Sequence, residues 1–270
     1  AFISVCICQR PPAYIFGQFD DTAVPRQAEI LTTDFEFNNL RSFGINVPVI
    51  TPATQIPIPI PTLDGSMILV VFGNLVSVRA LDNTEICTGS IDRISIRTGG
   101  FIDDTQFYVH VGGGDISRYM LDITNQGDCI SPEDPVCTLT GGSVDYIVVD
   151  DDTIYVLGAT PNPDSVAVVL ELDISRLAGD SCSIDMTTLP VIYSGPSARF
   201  LVLAYLNDRT LLLTNSETGA TLSIDKATGT AESYNMAPRV VTFSRPVFYP
   251  GLCIKITPEM NAARIQLLSR

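Results

Sequence analysis

Residues 144–173 read VDYIVVDDDTIYVLGATPNPDSVAVVLELD. Three apolar runs, Val144 to Val149, Thr153 to Gly158 and Val166 to Asp173, are separated by an Asp triplet and by a Pro-Asn-Pro-Asp segment. β-Branched and aromatic residues fill the runs, while Asp, Asn and Pro punctuate them. The stretch therefore predicts three short strands joined by turns, with a fourth over Ser181 to Leu189. Helical spacing of apolar residues is almost absent from the chain.

The same scheme repeats on either side. Phe200 to Tyr205, Thr210 to Thr214, Ala220 to Asp225 and Thr230 to Tyr234 form the next copy. Earlier copies use Met67 to Phe72 with Leu75 to Leu81, and Gln106 to Val111 with Ile116 to Asp122. A first copy uses Ala1 to Cys8, Tyr14 to Gly17 and Ala28 to Asp34; a last one uses Val240 to Phe243, Leu252 to Thr257 and Ala263 to Leu268. The third run of each copy ends on Asp, at Asp34, Asp82, Asp122, Asp173 and Asp225, so successive intervals are 48, 40, 51 and 52 residues. A period of about 40–50 residues with four strands per unit resembles β-propeller repeat proteins in general. The resemblance implies an all-β, six-bladed β-propeller with an incomplete last blade, one domain over 1–270. Its blades are expected near 1–44, 62–92, 93–139, 143–190, 196–236 and 238–270. The last blade lacks a fourth strand, which another chain or a longer polypeptide could supply. Ile45 to Pro61 carries Pro48, Pro52, Pro57, Pro59 and Pro61. It is expected as an extended connector over 45–61, because proline cannot serve a central strand.

Charge narrows the partners. The 270 residues carry 30 acids against 16 bases, a formal charge of −14. Nucleic acid is excluded as an expected partner, since phosphate binding needs clustered cations. No apolar run approaches the ~18 residues of a membrane span. Protein partners within a larger assembly are expected instead.

Seven cysteines fall at 6, 8, 87, 129, 137, 182 and 253, with no zinc-like or redox spacing. Reduced, buried thiols in a cytosolic protein and disulfides in an oxidising compartment are both open. Acidity, the start at Ala1 without Met, and the Pro-broken loop between Cys129 and Cys137 favour the second. They predict a removed leader and an extracellular, cell-surface or virion-surface location. Cys129 with Cys137 is the first candidate disulfide. Cys253 with Cys6 or Cys8 is the second, and would tie the ring's two ends.

Candidate chemistry concentrates in acidic turns. Asp64, Asp103, Asp104, Asp150, Asp151, Asp152 and Asp208 lie between first and second strands, on the rim that also holds the recurring Asp after each third strand. Two readings compete: carboxylates that cap their own turns, and oxygen ligands for Ca²⁺, the one cofactor such a set suggests. A second constellation, Asp115, Asp164, Asn215, Glu217 and Glu259, could converge in the channel and hold a cation that polarises an ester or lactone. That alternative is a divalent-cation-dependent hydrolase or lyase. His110, the one histidine, alternates with Phe107, Val109 and Val111 and reads as structural. The primary expectation is a non-catalytic scaffold that presents propeller loops to protein partners.

Overall fold

The computed structural model describes the chain from 58 to 234, except 64–65, 81, 92–97, 126, 160–165, 178–181, 197–200 and 216–219, and eight further strands outside that span by backbone alone. In chain order the N-terminal strands are β1 (Val5–Cys8), β2 (Pro12–Asp20), β3 (Gln27–Asp34) and β4 (Arg41–Pro48). The first blade is β5 (Ile58–Pro61), β6 (Met67–Phe72), β7 (Leu75–Ala80) and β8 (Glu85–Ser90). The second is β9 (Thr98–Phe101), β10 (Gln106–His110), β11 (Asp115–Leu121) and β12 (Ile130–Thr140). The third is β13 (Ser143–Asp150), β14 (Thr153–Ala159), β15 (Val166–Asp173) and, after the intervening β16 (Cys182–Asp185), β17 (Val191–Pro196). The fourth is β18 (Leu201–Asn207), β19 (Thr210–Asn215), β20 (Thr221–Asp225) and β21 (Ala231–Tyr234). The C-terminal strands are β22 (Thr242–Phe243), β23 (Val247–Phe248), β24 (Cys253–Ile256) and β25 (Gln266–Leu268).

The fold is an all-β propeller arrangement in which four blades, not six, are made of contiguous sequence. The first and last sequence copies do not stand as separate blades. Instead β22 and β23 both pair with β2, giving a sheet ordered β22-β2-β3-β4, and β22 lies beside both β18 and β5. A separate three-stranded sheet, ordered β1-β24-β25, takes the remaining terminal strands. Antiparallel pairing between the two ends of the chain satisfies backbone groups that an incomplete blade would leave exposed.

Two further expectations are corrected. The Pro-rich segment 45–61 was expected to be an extended connector, yet its first four residues, 45–48, end β4, and its last four, Ile58-Pro59-Ile60-Pro61, are β5, buried throughout and paired with β6. The strand tolerates proline because its sheet continues on one side only. Successive N–H groups alternate sides, so two prolines spaced by two place both missing donors on one side. The fourth strand of the third blade is β17, whereas residues 182–185 within the expected Ser181–Leu189 strand cross over as β16. They add a parallel fifth strand to the second blade.

Each blade buries both faces, which explains the nearly continuous apolar runs. Along β10, Phe107 and Val109 enter a cluster with Ile60, Leu69 and Val78 of the first blade, while Tyr108 joins Ile147, Val149 and Leu170 of the third. Along β13, Ile147 and Val149 face that second cluster, and Tyr146 and Val148 pack with Leu203, Leu211 and Ile224 of the fourth blade. Alternation at period two thus welds the second and third sheets to the blades on either side. Full burial of one such side chain, Phe107 for example, contributes roughly 1.5–3 kcal/mol.

Candidate functional site

Strand order places the turns after first and third strands on one rim. Hydrogen bonds join them there: Ile174 N donates to Asp152 O at 2.8 Å, Lys226 N to Arg209 O at 2.8 Å, and Leu121 N to Thr105 O at 2.7 Å. The opposite rim joins the turns after second strands to the chain between blades, as where Ile91 N donates to Asn74 O at 2.8 Å.

The first rim is built on a recurring triplet. In Asp82-Asn83-Thr84, Asp103-Asp104-Thr105, Asp122-Ile123-Thr124 and Asp173-Ile174-Ser175, Oδ1 of the Asp accepts from the backbone N–H two residues on, at 2.7–3.0 Å. On the same rim Asp225 accepts from both Ala227 and Thr228; Asp185, which ends β16 beside Thr140 and so lies on the opposite rim, accepts likewise from Thr187. The donors hold the carboxyls below their ordinary value. For Asp122, Asp173 and Asp185 the Thr or Ser hydroxyl leads and the backbone N–H follows; for Asp82 the backbone N–H of Thr84 leads. For Asp103, burial pushes upward, and donors from Thr105 and Gln106 outweigh it. Aspartate binding its own turn is the competing expectation to metal ligation.

The Asp150–Asp152 turn does something else. Lys226, which follows the third strand of the fourth blade, sends Nζ to Asp150 Oδ2 at 2.6 Å, with both side chains about nine-tenths buried. The same ammonium lies 5.2 Å from the Tyr155 ring centroid. Burial, followed by the charges of Glu171, Asp150 and Asp152, pushes the Tyr155 hydroxyl up to about 12. Lys226 is thus a clip between the third and fourth blades, on the rim itself. Asp104, Asp151, Asp152 and Asp208 are exposed, in turns between first and second strands on the same rim.

The other predicted residues are dispersed. Asp115 opens β11, the third strand out from the inner edge of its blade, and accepts from Thr138 Oγ1 at 2.7 Å; it does not face a channel. Asn215 ends β19, and its N–H donates to Ala220 O. Asp64, Asp164, Glu217 and Glu259 lie outside the described residues. His110 is fully buried in β10, opposite Thr98 and Ile116. Among the described residues no three His, Cys, Asp or Glu side chains gather as a metal-ligating group.

Cys129 and Cys137 do not join each other. Cys129 bonds Cys87 of β8, tying the first blade to the second, and Cys137 bonds Cys182 of β16, tying the second to the third blade's crossover. The reason is placement: Cys129, just before β12, lies against Thr88 of β8, whereas Cys137 within β12 stands in register with Cys182 of β16, so each partner lies 42 or 45 residues away in sequence. The signal was in the spacing, since those intervals match the blade period.

No family model matches the chain, and no curated protein matches it in sequence. Solved structures resemble it at low identity. The β-propeller domain of Cps50 (Swd1) from Myceliophteria thermophila is 10% identical, with 96% of this chain and 97% of that chain covered and a TM-score of 0.48. A chain of a nidogen/laminin complex is 11% identical, with coverage of 86% and 97% and a TM-score of 0.47. The C-terminal WD40 domain of Sif2 is 11% identical, with coverage of 84% and 60% and a TM-score of 0.38. Among the described residues no helix is long and apolar enough to cross a membrane.

Proposed function

We propose that this protein is a non-catalytic interaction scaffold of an oxidising, extracellular or surface compartment, whose acidic rim docks a basic segment of a protein partner. The observation that carries the reading is the turn chemistry of that rim. Five carboxylates of that rim, Asp82, Asp103, Asp122, Asp173 and Asp225, are fixed by donors from their own turns, so the loops between them are held in place before any partner arrives. Preorganised loops lower the ordering cost of binding. Exposed Asp104, Asp151, Asp152 and Asp208 supply the negative field that steers a cationic surface. The two interblade disulfides support the compartment. As part of this reading, the composite β22-β2-β3-β4 sheet serves as a fifth blade and closes the disc between the fourth and the first.

The test is binding of an Arg/Lys-rich peptide, followed by fluorescence anisotropy across a salt series. Binding is expected to weaken steeply with salt. It should fall about tenfold in an Asp104→Lys, Asp151→Lys, Asp208→Lys triple variant whose melting temperature is unchanged. Binding that ignores both salt and the triple substitution would sink the reading. A parallel melt in EDTA and in graded Ca²⁺ examines the metal alternative. A rise in Tm that saturates with Ca²⁺ would replace the scaffold reading with a cation site.

A further inference from the structure

Three cysteines remain outside the two interblade bonds: Cys6, Cys8 and Cys253. Strand β1 pairs antiparallel with β24 in the register Val5 with Ile256, Cys6 with Lys255, Ile7 with Ile254, and Cys8 with Cys253. We propose that Cys8 and Cys253 form a third disulfide, which joins the two ends of the propeller chain. Residues directly opposite in an antiparallel pair have Cα atoms about 4.5–5.5 Å apart, inside the window of about 4.4–6.8 Å that a disulfide spans. Faces alternate along a strand, so Cys6 falls on the other face of β1, opposite a lysine. Register therefore selects Cys8 over Cys6 and leaves Cys6 as the odd thiol of seven.

The two thiols lose two protons and two electrons as the S–S bond forms. The electrons pass to a disulfide-bearing oxidant, such as oxidised glutathione, whose own bond is reduced to two thiols. The bond differs in kind from the other two. Those join neighbouring blades, whereas this one lies within the small terminal sheet and closes the whole chain into a covalent loop. It rests on strand register and not on what the acidic rim binds.

The experiment is tryptic mapping without reduction, on full-length protein equilibrated with oxidised and reduced glutathione and blocked with a thiol alkylator. Trypsin does not cut before Pro11 or Pro246, so Cys6 and Cys8 leave on segment 1–26 and Cys253 on segment 240–255. The expected product is those two segments joined, with Cys6 the one alkylated cysteine. The joined product should persist in Cys6→Ser and disappear in Cys8→Ser. Loss in Cys6→Ser with retention in Cys8→Ser would overturn the proposal. So would three alkylated cysteines in wild type while the three-segment product that joins 80–93, 119–176 and 177–199 through Cys87–Cys129 and Cys137–Cys182 is present. That product acts as the internal control, so failure here is separate from failure of the oxidising-compartment reading.

Discussion

The junction between the second and third blades and the junction between the third and fourth are held by different chemistry. At the former, Cys137–Cys182 is covalent, Thr98 Oγ1 donates to Ile147 O at 2.8 Å, and Gly100 lets the inner strands close in on Val149. At the latter there is no cysteine among the described residues. Lys226 reaches across to Asp150, and Gly229, at φ +69°, lets its turn lie against Ile192 O of β17. A disulfide acts on the unfolded chain by restricting it, whatever the pH. A buried ion pair acts on the folded state and stands or falls with both partners. One junction is therefore covalent, and the other adds to its shared apolar cluster an ion pair that a single substitution breaks.

The largest effect is expected from the covalent side. Each disulfide closes a loop of 42 or 45 residues. Replacing Cys137 and Cys182 with Ser should cost about 4 kcal/mol in the chain-entropy model, read as a drop in the urea midpoint. The same loss is expected from the Cys87, Cys129 pair. An unchanged midpoint in either variant would put the stabilisation in the packed apolar clusters instead.

The ionic side ranks next. Lys226→Met leaves Asp150 buried without its partner and should cost roughly 3 kcal/mol, since breaking one side of a buried pair leaves an uncompensated charge. Asp150→Leu added to it should recover much of that loss, because an apolar pair of similar volume needs no desolvation. The double-mutant cycle by urea denaturation measures the coupling. Additive losses would mean that Lys226 works through its contact with Tyr155 and not through Asp150.

Close backbone approach comes third and compares the two junctions directly. A Cβ on Gly100 would lie 2.8 Å from the Val149 Cβ, an atom fixed to the β13 backbone, though Gly100 itself has no left-handed φ. A Cβ on Gly229 would meet the fixed Ile192 carbonyl, and would also demand a left-handed backbone of alanine. Both substitutions should cost about 1–3 kcal/mol, with Gly229→Ala the worse. Thermal melts of the two variants side by side give the order.

Much of this architecture was legible where pairing is local. The strands of the fourth blade, and β10 and β11 of the second, followed from apolar runs between turns, because up-and-down neighbours are also neighbours in sequence; β12 did not, since it runs through the proline-containing segment between Cys129 and Cys137 that reads as a loop. The composite sheet was not legible, since β22 and β2 lie more than two hundred residues apart and no local pattern records their pairing. Strand β5 was missed for a different reason: the rule against proline assumes a strand paired on both sides. At the rim, the Asp-x-Thr/Ser triplets were visible as turns, and their carboxylates are used as turns use them. The Lys226–Asp150 clip was not visible, since 76 residues separate the partners.

The smallest effect belongs to the turn carboxylates, and it has a definite sign. Asp82, Asp103, Asp122, Asp173, Asp185 and Asp225 all have folded values below the ordinary 3.8. In the folded state each keeps its charge to lower pH than in the unfolded chain. As pH falls past about 3.8 the unfolded state takes up protons first. Their contribution is therefore fully present above pH 4 and is lost as pH falls through the lowered folded values. These groups are exposed and screened, so each single contribution is small. Replacing Asp103 with Asn keeps an oxygen that accepts from Thr105 and Gln106 but removes the titration. Its melting temperature at pH 7 should lie within a degree or two of wild type, and its decline between pH 4 and pH 2 should be shallower. An equally steep decline would place the acid sensitivity in the other lowered carboxylates, Asp82, Asp122, Asp173, Asp185 and Asp225, and not in Asp103.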